Sequence, residues 1–261
     1  MKIAFITMDN REHLKDYSCP EPYFGTAPEA LLSGFSMIPE AEVDVISCVR
    51  SPVLAPVRIA PNIRYHALLV PKSGWMSSLY RGCIRSIRRK LAEIGSEIVH
   101  GQGTERYCAI SAVSSGLPNV ITIHGNMRLI AKLTKPRPFS FNWLNARLEA
   151  HTIPKSDGVV CITDYTRRAV QELAQKTWVV PNAVDPLFLT LGEKTMTEGK
   201  TQNDGRNSAV PVILCIANVD MRKNQNAFIR SLDRLAKQVP FEIRFFGHCG
   251  DTPYALSLIH I

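Results

Sequence analysis

No stretch of the sequence offers the roughly 20 consecutive apolar residues that a membrane-spanning helix requires. The opening run from Met1 reaches Asp9 too soon for a span or a signal peptide, and it is expected to be a buried strand. Close Cys-x-x-Cys pairs are also missing. The seven cysteines, at 19, 48, 83, 108, 161, 215 and 249, are scattered and odd in number, which argues against a disulfide framework or a zinc site and for a reducing cytosol. A G-x-G-x-x-G fingerprint is absent, so a nicotinamide enzyme loses its main support. No repeat of solenoid length occurs. The basic residues are spread out with no stacking-aromatic motif, so nucleic acid is not the expected partner.

What the chain does have is enough apolar material for a core: 45% of its 261 residues are hydrophobic and 21% charged. A formal charge of +8 suggests an anionic partner without choosing among nucleotide, nucleic acid and membrane surface. Short apolar runs alternate with segments of helical period, the pattern of βαβ units and a parallel sheet. Strands are expected at 3–7, 43–47, 65–70, 98–100, 120–124, 158–162 and 178–180, and helices at 27–37, 77–94, 105–115, 141–153 and 165–175. The fold class is therefore α/β, with a Rossmann-like doubly wound parallel sheet over residues 1–188.

Residues 189–209 are polar and lack apolar periodicity, which marks a linker. A second Rossmann-like unit then begins within 210–255: a strand at 210–217, a helix at 224–239 with Phe228, Leu232 and Leu235 on one side, and a strand at 241–246. The tail 256–261, Leu-Ser-Leu-Ile-His-Ile, resembles a translated transposase-type sequencing adapter and is expected to be a scar; read as native, it would be a short strand.

Strand ends followed by glycine and a helix are where such sheets bind anions, because unpaired N–H groups and the helix dipole point outward there. Three places fit: Tyr23-Phe24-Gly25-Thr26, His100-Gly101-Gln102-Gly103-Thr104-Glu105, and His124-Gly125-Asn126. A lone histidine at a strand end is usually a satisfied structural one. His124 stands out because it directly follows Val120-Ile121-Thr122-Ile123 at the carboxyl edge, where ligands collect. In the second place, His100, Gly101, Gly103, Thr104 and Glu105 form either a tight turn with an N-cap or an acceptor-side loop.

Val179-Val180-Pro181-Asn182-Ala183-Val184-Asp185, followed by Phe188, resembles the Pro-Asn-Gly-Val-Asp…Phe hinge of family-four glycosyltransferases. Ile213-Leu214-Cys215-Ile216-Ala217-Asn218-Val219 and then Arg222-Lys223-Asn224 is similar to the strand, loop and Lys-Gly turn that opens their donor-binding domain. Ile98-Val99-His100 and Val120–Gly125 resemble the family's paired strand ends, so the likeness runs to about Tyr254.

The resemblance implies an incomplete GT-B enzyme that moves a sugar from a nucleotide-sugar donor to a glycan or lipid-linked acceptor. It further implies retention of configuration, no metal, and no cofactor beyond the donor itself. Lys223, with Arg222 beside it, would neutralise the departing diphosphate. By the same resemblance His124 would contact the donor sugar, with Gly25, Gly125 and Asn218 at the phosphates. An epimerase of GT-B architecture and a non-catalytic binding module remain the alternatives. Asn218 stands where many relatives have arginine, Asn224 and Ala183 where they have glycine. The family's paired glutamates would fall beyond Tyr254, so the chain alone is expected to be inactive.

One segment lies outside that pattern. On a helix, Cys83, Ile84, Ile87, Leu91 and Ile94 would pack inward while Arg81, Arg85, Arg88 and Arg89 face out. Those arginines form either a solvated face or a peripheral contact with anionic lipid at the inner face of the membrane.

Overall fold

The computed structural model describes residues 1–184, 186–187, 189–190, 210–250 and 253–259. The hinge residues Asp185 and Phe188, positions 191–209 of the linker, 251–252, and the tail residues 260–261 lie outside the described residues. The chain divides into two compact units, Met1–Thr190 and Leu191–Ile261.

In the first unit, β1 (Lys2–Ile6), β2 (Glu42–Val49), β3 (Arg58–Ala60), β4 (Ile63–Leu69), β5 (Ile98–Gln102), β6 (Asn119–Ile123), β7 (Gly158–Cys161) and β8 (Thr177–Val179) make one sheet. Their order is β3-β4-β2-β1-β5-β6-β7-β8. Neighbours run parallel, except that β3 pairs antiparallel with β4 at the edge. The expected parallel sheet is present with this one addition, which was not anticipated because three residues carry no readable period. Helices α1 (Asn10–Leu14), α2 (Thr26–Ser36), α3 (Arg81–Ile94), α4 (Cys108–Val113), α5 (Met127–Thr134), α6 (Phe141–Thr152) and α7 (Asp164–Val170) complete the unit. Strand order turns back between β1 and β5, which opens a crevice beyond their carboxyl ends.

Successive side chains of β1 and β2 enter opposite cores, as the two-residue period of a strand dictates. Ala4, Ile6, Ile46 and Cys48 pack with Cys83, Ile87 and Leu91 of α3, whereas Ile3, Phe5, Val43 and Val45 pack with Leu32 of α2. Burial on both faces is why these strands read as near-continuous apolar runs. On α3 the inward residues Cys83, Ile87 and Leu91 are buried, Ile84 and Ile94 are half-buried, and Arg81, Arg85, Arg88 and Arg89 are exposed.

Two helices begin later than their sequence suggests. Residues 77–80 do not join α3, because Met76–Ser78 is a 3-10 turn and Leu79 and Tyr80 sit at left-handed φ of 52° and 62°. Residues 105–107 do not join α4, because Arg106 has φ 59°. The first turn of α3 also explains a glycine inside a helix. A Cβ on Gly82 would lie 2.5 Å from the Cα of Gly74 in the 3-10 turn Lys72–Gly74. Gly82→Ala should therefore lower stability by about 1–3 kcal/mol, against the gain of about 1 kcal/mol that alanine normally brings to a helix interior. An unchanged urea midpoint would show that the two backbones do not meet.

In the second unit, β9 (Val212–Ile216) and β10 (Glu242–Phe246) pair in parallel, with Val212 opposite Glu242. Between them lie α8 (Gln225–Ser231) and α9 (Asp233–Ala236), so the single helix expected at 224–239 is interrupted. The break follows from Leu232, whose N–H bonds back to Ile229 O at 3.0 Å, a three-residue span that tightens the turn. Leu235 consequently stays 38% exposed instead of joining Phe228 and Leu232. The last element, α10 (Pro253–Ile259), is helical where a native reading of the tail gave a strand. Among the described residues no helix is long and apolar enough to cross a membrane.

Candidate active site

His124 follows β6 directly and stands half-buried at the carboxyl edge of the sheet. Its Nε2–H donates to Gln102 Oε1 at 2.9 Å, and Gln102 Nε2 donates in turn to His100 Nε2 at 2.9 Å. Thr122 Oγ1 lies 2.7 Å from the same His100 nitrogen. With the amide so oriented, His124 carries its proton on Nε2 and His100 leaves Nε2 bare. Burial lowers the pKa of His124, and a hydrogen bond with the Asn182 side chain partly offsets it. Two members of the sequence pattern 58 residues apart, the strand-end histidine and the hinge asparagine, are thus brought into contact.

Burial, and secondarily the charge of His124, press the pKa of His100 down to about 4. The unfolded value is about 6.5. Between these limits the unfolded state binds more protons, so stability falls as pH drops through 6.5 towards 4 and levels off below that. Up to about 3 kcal/mol follows from a shift of this size. Thermal unfolding of His100→Gln should accordingly show a flatter pH dependence than wild type in that window. Parallel curves would refute the burial argument.

The other glycines at this edge divide by task. Gly101, expected in a loop, is a buried residue of β5; a Cβ there would come 2.9 Å from Cys108 O and 3.1 Å from the Ala112 side chain. Its place is the close packing of α4 on the strand. Gly103, at φ +82°, and Gly125 flank the Glu105 carboxylate: a Cβ on either would lie 2.6 Å from Oε2 or 3.3 Å from Oε1, respectively. Burial raises the Glu105 pKa and the charge of Glu149 adds to this, while a hydrogen bond from its own backbone opposes.

The anion sites expected at helix starts are not equivalent. At α5 the protein supplies its own anion. Fully buried Glu149 of α6 accepts from Met127 N at 2.9 Å, Arg128 N at 3.0 Å and Thr104 Oγ1 at 2.6 Å. Asn126 Oδ1 takes Leu129 N at 2.9 Å. The N–H groups of residues 127–129 after His124-Gly125-Asn126 are therefore engaged, which corrects the expectation of an open helix end there, and Thr104 acts as a donor to Glu149. At α2 the start has no side-chain cap, and Gly25 adopts φ +90°. That turn keeps its outward N–H groups, and Glu29 Oε1 holds the preceding Phe24 N at 3.0 Å.

Several polar residues at this edge carry no sequence signal of their own. Asp9 is buried against the Arg11 guanidinium (2.6 Å to Nη2) and accepts from Tyr65 Oη at 2.7 Å. Glu12 pairs with Arg50, whose guanidinium also lies 4.8 Å from the Trp75 ring centroid. Tyr107 Oη donates to Thr7 O at 3.1 Å and accepts from Cys48 N at 3.0 Å. Asp9 also caps α1, its Oδ1 accepting Arg11 N at 3.0 Å.

In the second unit Asn218 Oδ1 accepts from His248 N at 3.2 Å, and Gln225 Nε2 donates to Asn218 O at 2.9 Å. Arg222 is paired with Asp220 at 3.0 Å. Among the described residues Lys223 has no carboxylate within ion-pair distance. Asn224 takes the left-handed conformation, φ 55° and ψ 38°, which asparagine adopts more readily than most residues.

A doubly wound parallel sheet with polar groups converging on the carboxyl ends of its strands, followed by a parallel β-α-β opening, defines a protein of the GT-B class of nucleotide-fold enzymes. The sequence profile described as Glycosyltransferase Family 4 matches residues 39–187, more than half of the chain, and the chain belongs to that family. Solved structures agree in fold. A trehalose-6-phosphate protein from E. coli bound with UDP-2-fluoro glucose is 12% identical at TM-score 0.56, with 100% of this chain and 68% of that one covered. UDP-GlcNAc 2-epimerase from Neisseria meningitidis bound to UDP-GlcNAc is 15% identical at TM-score 0.53, covering 100% and 68%. Sucrose-phosphate synthase from Thermosynechococcus elongatus is 13% identical at TM-score 0.51, covering 100% and 73%. No curated protein sequence matches the chain.

Proposed function

We propose that this chain is the acceptor-side unit and the opening of the donor-binding unit of a hexosyltransferase. In this reading the enzyme moves a sugar from a nucleotide-sugar donor to a glycan or lipid-linked acceptor, with retention and without a metal. Family membership gives glycosyl transfer its footing. The observation that carries the reading is the hydrogen bond of His124 to Gln102, with the hinge residue Asn182 acting on the same ring. A ring held in place by Gln102 gives the donor sugar a preorganised wall at the carboxyl edge, at little entropic cost. Gly25 would admit the diphosphate to the uncapped start of α2. Gly125 would let the donor approach beside His124, Asn218 would line the phosphates, and Lys223 and Arg222 would supply positive charge.

The test is product analysis of the complete gene product supplied with UDP-sugars and GDP-sugars, with and without a candidate glycan acceptor. Acceptor-dependent release of nucleotide with the anomeric configuration kept supports transfer. Interconversion of donor sugars without any acceptor would instead support the epimerase reading, favoured by the fold likeness to UDP-GlcNAc 2-epimerase. No change to any donor would sink both.

The exposed arginines of α3 extend the reading to location: a peripheral contact with anionic lipid at the cytoplasmic face. Each basic residue near such a surface adds on the order of 1 kcal/mol. Co-sedimentation should be strong with vesicles rich in phosphatidylglycerol at low salt and weak when Arg85 and Arg88 are both replaced by Gln. Equal recovery on neutral and anionic vesicles would leave the face simply solvated.

A further inference from the structure

Of the arginines Arg11, Arg50 and Arg106, two are matched by carboxylates: Arg11 by Asp9 and Arg50 by Glu12. The third, Arg106, has no carboxylate within 4.0 Å among the described residues, yet three side chains from two helices are arranged around it. Fully buried Asn145 of α6 accepts its backbone N–H at 3.1 Å and holds it at φ 59°. Left-handed backbone at a non-glycine residue costs roughly 1–2 kcal/mol, so the position is imposed and not relaxed into. One turn earlier on the same helix, Phe141 lies under the guanidinium at 5.5 Å. From α1, exposed His13 accepts Nη2–H on Nδ1 at 3.1 Å. A pinned backbone, an aromatic platform and an imidazole nitrogen orient this cation without a carboxylate to discharge it.

We infer that Arg106 and His13 form a subsite for a compact oxyanion, phosphate or carboxylate, carried by the acceptor. The assignment to the acceptor rests on the function proposed above; the anion site itself rests on the geometry alone. Guanidinium N–H groups offer the planar fork that suits either oxyanion. With Nδ1 accepting from Arg106, His13 Nε2–H is a further donor. The cavity on the inner side, lined in part by Asp9, Glu12, Trp75 and Tyr107, holds only about 10 Å³. That is the room of about one water, so the anion must approach from the open His13 side.

The experiment is titration of the full chain with inorganic phosphate, and separately with acetate, followed by the imidazole C–H resonances of His13. A saturable shift is expected, with affinity about tenfold weaker in Arg106→Gln. Tighter binding of phosphate assigns a phosphorylated acceptor, and tighter binding of acetate a carboxylate-bearing one. Should Arg106→Gln not fold, Arg106→Lys keeps the charge but loses the fork and should weaken binding severalfold. No saturable shift with either anion, or affinity unchanged in the folded variant, overturns the subsite. Because the titration involves no sugar transfer, saturable binding in a protein that turns over no donor would sink the proposed activity and leave the subsite standing.

Discussion

Replacing Glu149 by alanine should destabilise the first unit by about 3–5 kcal/mol, since three donors meeting at the buried carboxylate lose their acceptor at roughly 1–3 kcal/mol each. The carboxylate is fully buried and receives the amides of Met127 and Arg128 and the hydroxyl of Thr104. Without it, two N–H groups at the positive end of α5 and one hydroxyl lose their partner, and a helix start is left unsatisfied in the interior. Glu149→Gln keeps the volume and one acceptor oxygen while turning an amide NH2 towards a donor. Its expected loss is smaller, about 1–3 kcal/mol. Urea denaturation of the two variants beside wild type measures both. If Glu149→Ala unfolds at the wild-type midpoint, the carboxylate is not what closes that helix end.

The second large effect concerns turnover. Lys223→Ala, in the complete gene product, should lower kcat by about 10²–10³-fold with a smaller change in donor KM, as removal of a group acting on developing charge does. The structure separates this lysine from its neighbour. Arg222 is held by Asp220 through both its backbone N–H and its Nη2, whereas Lys223 has no carboxylate within ion-pair distance among the described residues. Arg222→Ala should therefore cost less than Lys223→Ala. Steady-state kinetics with a saturating donor decides it, and an unaltered kcat for Lys223→Ala removes the phosphate role.

Fold was legible where physics is local. Strands buried on both faces announce themselves as apolar runs, and α3 showed its inward stripe through Cys83, Ile87 and Leu91. Where a single residue breaks the period, the reading overran: the left-handed backbone of Tyr80 and Arg106 shortened two helices that composition alone would extend. The site was legible in part for the same reason. His124 was visible because it ends a strand at the carboxyl edge. Gln102, Asn145 and Glu149 were not, because each acts on a partner 22 to 45 residues away that meets it only once the sheet has formed. Asn145 and Glu149 have no motif around them, and Gln102 is one residue within the His100–Glu105 run, so their partners emerge only on burial.

Asn182 does two things at once. It belongs to the Pro-Asn segment through which the backbone leaves the sheet after β8, and its side chain touches the ring of His124. Removing that amide, as in Asn182→Ala, would leave burial to press the His124 pKa down unopposed, so the chain's exit from the sheet bears on the basicity of a strand-end base.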